Sequence, residues 1–219
     1  FYTAVKKYIN DELALMLDTV RGVQRDRLHV LGLVAEAGIG KTRLVDTLLA
    51  RIGSDSEFAG TAVRRVVCSP LGQRPYGVTA GLFKEAYGIA AADSLDDAHR
   101  KVEHGLRSLQ AATEDLELVV PVMGYILGLQ PGASVSAFEP ERLKRQIFTA
   151  LRTAIERRLA MGPLVLVVEG LQWADAVSIE ALASVANWLH ERPLLIVLSG
   201  RPPFDPMALD FGRAAHTVL

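Results

Sequence analysis

Ala35-Glu36-Ala37-Gly38-Ile39-Gly40-Lys41-Thr42 lies between an apolar run, Leu28 to Val34, and an amphipathic stretch, Leu44 to Leu49. A strand, a glycine-bearing loop ending in Gly-Lys-Thr, and then a helix is the order that a nucleotide phosphate tail requires. Gly38 and Gly40 let the backbone curl with its N–H groups inward, and neither puts a Cβ in the way of a phosphate. The helix that follows aims its positive dipole end and free N–H groups at the same anion. Lys41 is the side chain expected to reach the outer phosphates, and the Thr42 hydroxyl the group expected to hold Mg²⁺. Each charge-assisted hydrogen bond is worth roughly 1.5–3 kcal/mol, so several together anchor a triphosphate. The expected nucleotide-binding residues are therefore Ala35, Glu36, Ala37, Gly38, Ile39, Gly40, Lys41, Thr42 and Arg43. The usual pattern starts with Gly where this chain has Ala35, a mild departure at the position that touches phosphate least.

Outward from that loop, apolar runs and helical periodicities alternate. Asp11 to Val20 reads as a helix with Leu13, Met16, Leu17 and Val20 on one face. Arg27 to Val34 is the first expected strand and Thr61 to Cys68 the second, with Val63, Val66 and Val67 pointing inward. A long helical tract runs from Val78 to about Ala160, with breaks expected near Gly88, Ala112 and Pro131. Its last helix repeats Leu143, Ile147, Leu151, Ile155 and Leu159 every four residues. Leu164 to Val168 and Pro193 to Leu198 are continuous apolar runs, as in parallel strands buried on both faces. Ile179 to His190 reads as helical, and a fifth strand is expected from His216. The expected fold is α/β: a doubly wound, mostly parallel sheet of the P-loop NTPase type, with the helical tract between its second and third strands.

Composition agrees with that class and excludes others. The 219 residues are 50% hydrophobic and 6% aromatic, with a formal net charge of −1, so no basic nucleic-acid footprint is present. Arg64-Arg65 and Arg157-Arg158 are isolated pairs and read as solvated faces. A single cysteine, Cys68, allows no internal disulfide and suits a reducing, cytoplasmic setting. The five histidines are scattered, and no metal other than a phosphate-bound Mg²⁺ is expected. Leu118 to Phe138 carries no charge, but Pro121, Gly124, Gly128, Pro131 and Gly132 interrupt it, so it reads as a buried helix rather than a membrane span. Phe1 is not an initiator Met, and residues 1–219 are expected to be one P-loop NTPase domain cut from a longer chain, without lid or output domains.

Two further segments carry chemistry. Leu164–Val168 ends in Glu169-Gly170-Leu171-Gln172-Trp173-Ala174-Asp175. An acid at the carboxyl end of a buried strand, in a sheet with a phosphate loop, is where a Mg²⁺-handling carboxylate belongs, so Glu169 joins Thr42 as a metal residue. The plain alternative is that Glu169 caps its strand. Hydrolysis usually needs a second acid at the next position to orient water, and Gly170 stands there. Asp175 either substitutes as that acid or caps the following helix. After the Pro193–Leu198 run, Arg201 either reads the γ-phosphate by paired hydrogen bonds or is a surface Arg before a proline turn. Lys41, Glu169, Asp175 and Arg201 are thus the catalytic candidates.

Ala35–Val45, Pro163–Asp175 with its Leu-Gln-Trp-Ala-Asp end, and Arg201-Pro202 together resemble the AAA-like ATPase module of the STAND class. That module accompanies adenylate/guanylate cyclase domains and occurs in large LuxR-type transcription regulators. Pro75-Tyr76 and the helix Glu139–Arg158 also fit, so the resemblance runs from about Asp11 to Leu219. It implies a regulatory switch that binds ATP and Mg²⁺, turns ATP over slowly or only with a partner, and controls an attached output domain, either a cyclase or a DNA-binding unit. It implies no direct nucleic-acid or membrane contact by this piece, and leaves room for nucleotide-dependent self-association. The family's usual Val-Gly-Arg-Glu box is missing: Val5 to Asn10 reads Val-Lys-Lys-Tyr-Ile-Asn. With Gly170 in place of a second acid, efficient hydrolysis is the expected casualty. The alternative readings are a degenerate, non-hydrolysing scaffold for protein contacts and a P-loop phosphotransferase, for which no acceptor-binding constellation is visible.

Overall fold

Leu164–Glu169 is buried at every position, and so is Leu194–Gly200, as continuous apolar runs require of strands covered on both faces. In the computed structural model these are β3 and β4 of a five-stranded sheet. The others are β1 (His29–Val34), β2 (Ala62–Val67) and β5 (Ala215–Val218), in the order β2-β3-β4-β1-β5. Every neighbouring pair is parallel. The structure describes residues 2–23, 27–70, 74–128, 140–206, 209–211 and 215–218, with the backbone alone for 2–10 and 215–218.

Strand alternation divides the interior in two. Leu31, Leu33, Val165, Val167, Leu195 and Val197 point to one face, where Met16 and Val20 of α1 (Tyr2–Val23) and Val45 and Leu48 of α2 (Lys41–Ser54) cover them. Val30, Leu164, Leu166, Val168, Leu194, Ile196 and Leu198 point to the other. There α3 (Gly77–Tyr87), α4 (Leu95–Ser108), α5 (Thr113–Ile126), α6 (Pro140–Leu159) and α7 (Ala176–Trp188) form the larger core. The sheet is doubly wound, as expected, and four of its helices stand between β2 and β3.

The helical tract divides where local chemistry ends each helix. Gly88, in the left-handed region at φ 62°, closes α3. Ser94 and Asp97 exchange hydrogen bonds that open α4, and Asp115 accepts from the Ala112 N–H at the start of α5. Pro121 sits within α5 without ending it. The expected break at Pro131 and the helix residue Glu139 lie outside the described residues. Leu143, Ile147, Leu151, Ile155 and Leu159 are all buried on the inner face of α6.

Three expectations need correction. The first helix begins at Tyr2 rather than Asp11, because residues 2–10 continue the same helical turns. Val67 is 64% exposed, because it stands at the carboxyl end of a strand on the sheet edge, above the covering helices. Neither Arg64-Arg65 nor Arg157-Arg158 is a solvated face: Arg157 Nη2 lies 2.6 Å from Asp115, and Arg158 Nη1 is buried. Arg64 Nε lies 3.2 Å from Glu85 of α3, and Arg65 is bound to acids on the opposite face of the sheet.

Ile147, 1% exposed, and Leu15, 44% exposed, differ in burial but not in apolar character. Ile147→Ala should cost about 2–5 kcal/mol of unfolding free energy. Leu15→Ala should stay within about 0.5 kcal/mol of the parent in the same urea titration. Equal losses at the two positions would contradict the placement of α6 in the core.

Candidate functional site

Parallel pairing sets the carboxyl ends of four strands level. Val67 is opposite Glu169, Glu169 opposite Ser199, and Val34 opposite Gly200. The loop from Ala35 to Gly40 leaves this edge and enters α2 at Lys41. Gly38 and Gly40 have φ of 80° and 109°, a region that costs other L-residues about 1–2 kcal/mol. A Cβ on either would meet no atom within 4 Å, so the curl encloses open space. No side chain caps the first turn of α2, so its N–H groups face that space.

Lys41 Nζ donates to the carbonyl oxygens of Ala35 and, at 2.8 Å, of Glu36. Burial foremost, and then the charge of Arg201, hold its ammonium below its usual pKa, with Glu36 opposing. Two cations therefore face one opening. The Arg201 backbone N–H donates to Gln172 Oε1 at 3.2 Å, tying the end of β4 to the segment after β3. The cleft so formed has a volume of about 360 Å³.

Among the nucleotide-binding candidates, Ala37, Gly38, Gly40, Lys41 and Thr42 line the cleft. Ala35 and Glu36 stand behind it and hold Lys41 through their carbonyls. Ile39 is 64% exposed at the loop tip, and Arg43 points to solvent. Glu169 and Arg201 also line the cleft with Trp173 of the Leu-Gln-Trp-Ala-Asp segment, joined by Val67, Cys68 and Ser199, which carried no motif in the sequence.

Glu169 is 4% exposed, and its Oε1 is held by Arg65 through both Nε, at 2.7 Å, and Nη2. Arg65 Nη1 reaches Asp46 of α2 at 2.7 Å. Burial works against the Arg65 charge, but the hydrogen bonds it donates to Glu169 and Asp46, with their negative charges, outweigh it and raise its pKa. Glu169 is therefore a partnered buried acid, and Arg65 is the partner that pattern reading missed. The available clue was its position on the same strand face as Val63, two residues before the strand end.

Asp175 is not among the residues that line the cleft, and both of its oxygens are occupied. Its Oδ1 accepts from Tyr76 N at 3.0 Å and Ser178 N at 2.9 Å, and its Oδ2 from Gly77 N at 3.1 Å and Ser178 Oγ at 2.6 Å. It caps α7, the second of the two roles open to it, and also anchors the start of α3. Gly170 is equally committed. It sits at φ 70°, and a Cβ there would lie 2.9 Å from the Cys68 carbonyl oxygen. The backbone itself leaves no room for an acid at that position.

The hydroxyl of Thr42 and the carboxylate of Glu169 are hard oxygen donors on one cleft, a set that fits Mg²⁺. With the inward N–H groups and the two cations, the arrangement suits a polyphosphate with a divalent ion.

The model of the family described as AAA ATPase domain matches residues 10–197. An uncharacterized protein of Rhizobium meliloti (strain 1021) is 26% identical over 204 residues, which is 90% of this chain and 19% of that protein. The chain thus spans about a fifth of the length of this curated relative. Similar solved structures include Drosophila ORC bound to DNA, at 11% identity and TM-score 0.42, covering 99% of this chain and 91% of that one. Drosophila ORC bound to AT-rich DNA and Cdc6 has 12% identity and TM-score 0.43, covering 99% and 57%. The Aeropyrum pernix ORC2 protein in ADPNP-ADP complexes has 13% identity and TM-score 0.40, covering 97% and 47%.

Two measurements probe this geometry. Gly170→Asp should lose about 1–3 kcal/mol of stability by urea titration, from the left-handed backbone and the close carbonyl; an unchanged midpoint would mean that the turn is not as described. Burial foremost, and then the charge of Asp175, push the Cys68 thiol up to about 11 from 9.0. At pH 8 its iodoacetamide alkylation should run about a hundredfold slower than that of an unperturbed thiol, and rise about tenfold per pH unit until it levels off above about pH 11. The raised pKa also makes folding less favourable as pH climbs through the unfolded thiol's value.

Proposed function

The chain belongs to the AAA ATPase domain family, and on that premise we propose that it is an ATP-binding regulatory switch with slow or partner-dependent hydrolysis. The observation that carries the reading is the pair of cations, Lys41 and Arg201, facing an open backbone curl, with the acid of that cleft, Glu169, already paired with Arg65. An anion placed there relieves their mutual repulsion and takes hydrogen bonds from the start of α2.

In this reading the phosphates lie against Gly38, Gly40 and the first turn of α2. Lys41 exchanges the carbonyls of Ala35 and Glu36 for phosphate oxygens, and Arg201 meets the terminal phosphate. Thr42 and Glu169 would hold Mg²⁺, which supplies neutralisation of phosphate charge. Binding then competes with Arg65 for Glu169, so the ATP state and the empty state differ at β2, β3 and α2 together. Slow turnover follows from the occupied acids: Gly170 replaces one, and Asp175 spends its oxygens on two helix starts. The second acid or its equivalent would then come from a partner or a second copy of the chain.

The resemblance to STAND modules supports a cyclase or DNA-binding output domain elsewhere in a longer protein, with residues 1–219 as the NTPase domain. The short share of the Rhizobium relative's length fits that arrangement. The free thiol of Cys68 suits the cytoplasm, and no helix among the described residues is long and apolar enough to cross a membrane. A second reading, a non-hydrolysing scaffold, is favoured by the same occupied acids.

Titration with a fluorescent ATP analogue and Mg²⁺ should show saturable binding below about 1 mM, weakened at least about tenfold by Lys41→Ala. Absence of saturation, or indifference to the substitution, would refute the switch and leave the scaffold. Phosphate release with added partner or at raised protein concentration then separates a slow ATPase from a pure binder.

A further inference from the structure

A second cavity, of about 180 Å³, lies on the opposite side of the sheet from the α2 face, toward the amino ends of β2 and β3. Its walls are apolar: Phe83 and Tyr87 of α3, Leu151 and Ile155 of α6, and Leu164 and Leu166 of β3. Phe83 and Tyr87 stack with ring centroids 5.9 Å apart, and Gly105 of α4 lets the Tyr87 ring lie flat, since a Cβ there would come within 2.4 Å of it. Packing alone would favour a filled space here, because a void of this size forfeits dispersion contacts.

The charged groups of the lining are Arg64 and Arg158. Arg64 is matched by Glu85, 3.2 Å away. Among the described residues, no acid pairs with Arg158. Its Nη2 donates to the Gly60 carbonyl at 3.2 Å, and its Nη1 is buried with no hydrogen-bond partner. Burial foremost, and the neighbouring Arg64 charge, lower the Arg158 pKa. An unsatisfied buried guanidinium N–H is costly, and one beside a second guanidinium more so. The cavity therefore carries one uncompensated positive charge beside an apolar hollow.

We propose that this cavity binds a small monocarboxylate with an apolar tail. The carboxylate would pair with the Arg158 guanidinium beside Arg64, whose shielded Nη1 turns toward it on binding, and the tail would fill the space between the rings of α3 and the aliphatic side chains of α6 and β3. A cavity of about 150 Å³ holds benzene, so a tail of about six to eight carbons fits the observed volume. A dianion is disfavoured because Glu85 already balances Arg64. A free amine or a neutral oil lacks the group that Arg158 is missing.

Calorimetric titration of the protein, without nucleotide, with octanoate and separately with octan-1-ol tests this. Octanoate should bind saturably and at least about tenfold more tightly than the alcohol. Arg158→Met should weaken octanoate about tenfold while leaving the alcohol unchanged, and Ala154→Leu, which fills the hollow, should weaken both. A parent-like urea midpoint for each variant excludes misfolding as the cause. The proposal fails if octanoate does not saturate, if acid and alcohol bind alike, or if Arg158→Met binds octanoate as the parent does. None of these readouts depends on the ATP site.

Discussion

The in-register parallel pairing of β2, β3, β4 and β1 is the constraint on which the rest depends. Parallel strands end together, so their carboxyl termini deliver Val67, Glu169, Ser199 and the phosphate-type loop to one edge. That alignment is possible only because β3 and β4 are apolar enough to be buried on both faces. A slip of one residue would turn Val165, Val167, Leu195 and Val197 from the α1–α2 core to the other face. It would also move Glu169 away from Arg65. The fold and the site share one register.

Much of this architecture is legible from composition and periodicity. The doubly wound sheet, the helices between β2 and β3, the four-residue repeat of α6 and the curl at Gly38 and Gly40 all follow from local pattern. Each reflects an interaction within a few residues, or burial that a run of apolar side chains announces by itself. What the pattern hides is pairing across distance. Arg65 looks like half of a solvated pair, yet its partners are Glu169, on the neighbouring strand, and Asp46, on the helix below. Val67 follows the strand's apolar theme but stands where no helix covers it. Gly170 reads as a missing acid, whereas the folded chain shows a backbone turned so that no side chain fits. The role of Asp175 was open from sequence because capping and catalysis use the same carboxylate.

In the proposed reading, the cleft holds nucleotide more readily than it breaks bonds. Cations, backbone N–H groups and oxygen donors converge there, while the acids nearby are already committed. Binding energy from such groups is available without any proton transfer, because charge-assisted hydrogen bonds need only geometry. The competition between Arg65 and any cation for Glu169 places the cost of occupancy on an ion pair that also touches α2 through Asp46. In the proposed switch, occupancy of the cleft and the seating of that helix are linked through this pair.

Asp175 fastens two helix starts with one carboxylate, receiving Tyr76 and Gly77 from α3 and Ser178 from α7. Tyr76 holds a left-handed φ of 63°, so that junction is stiff and specific. The short turn from Gly170 to Ala174 leads straight from the cleft floor into this rivet. Any displacement of the floor must either drag the helical layer as a body or shear the rivet. One carboxylate thus joins the turn that follows the cleft floor to two helices of the outer layer.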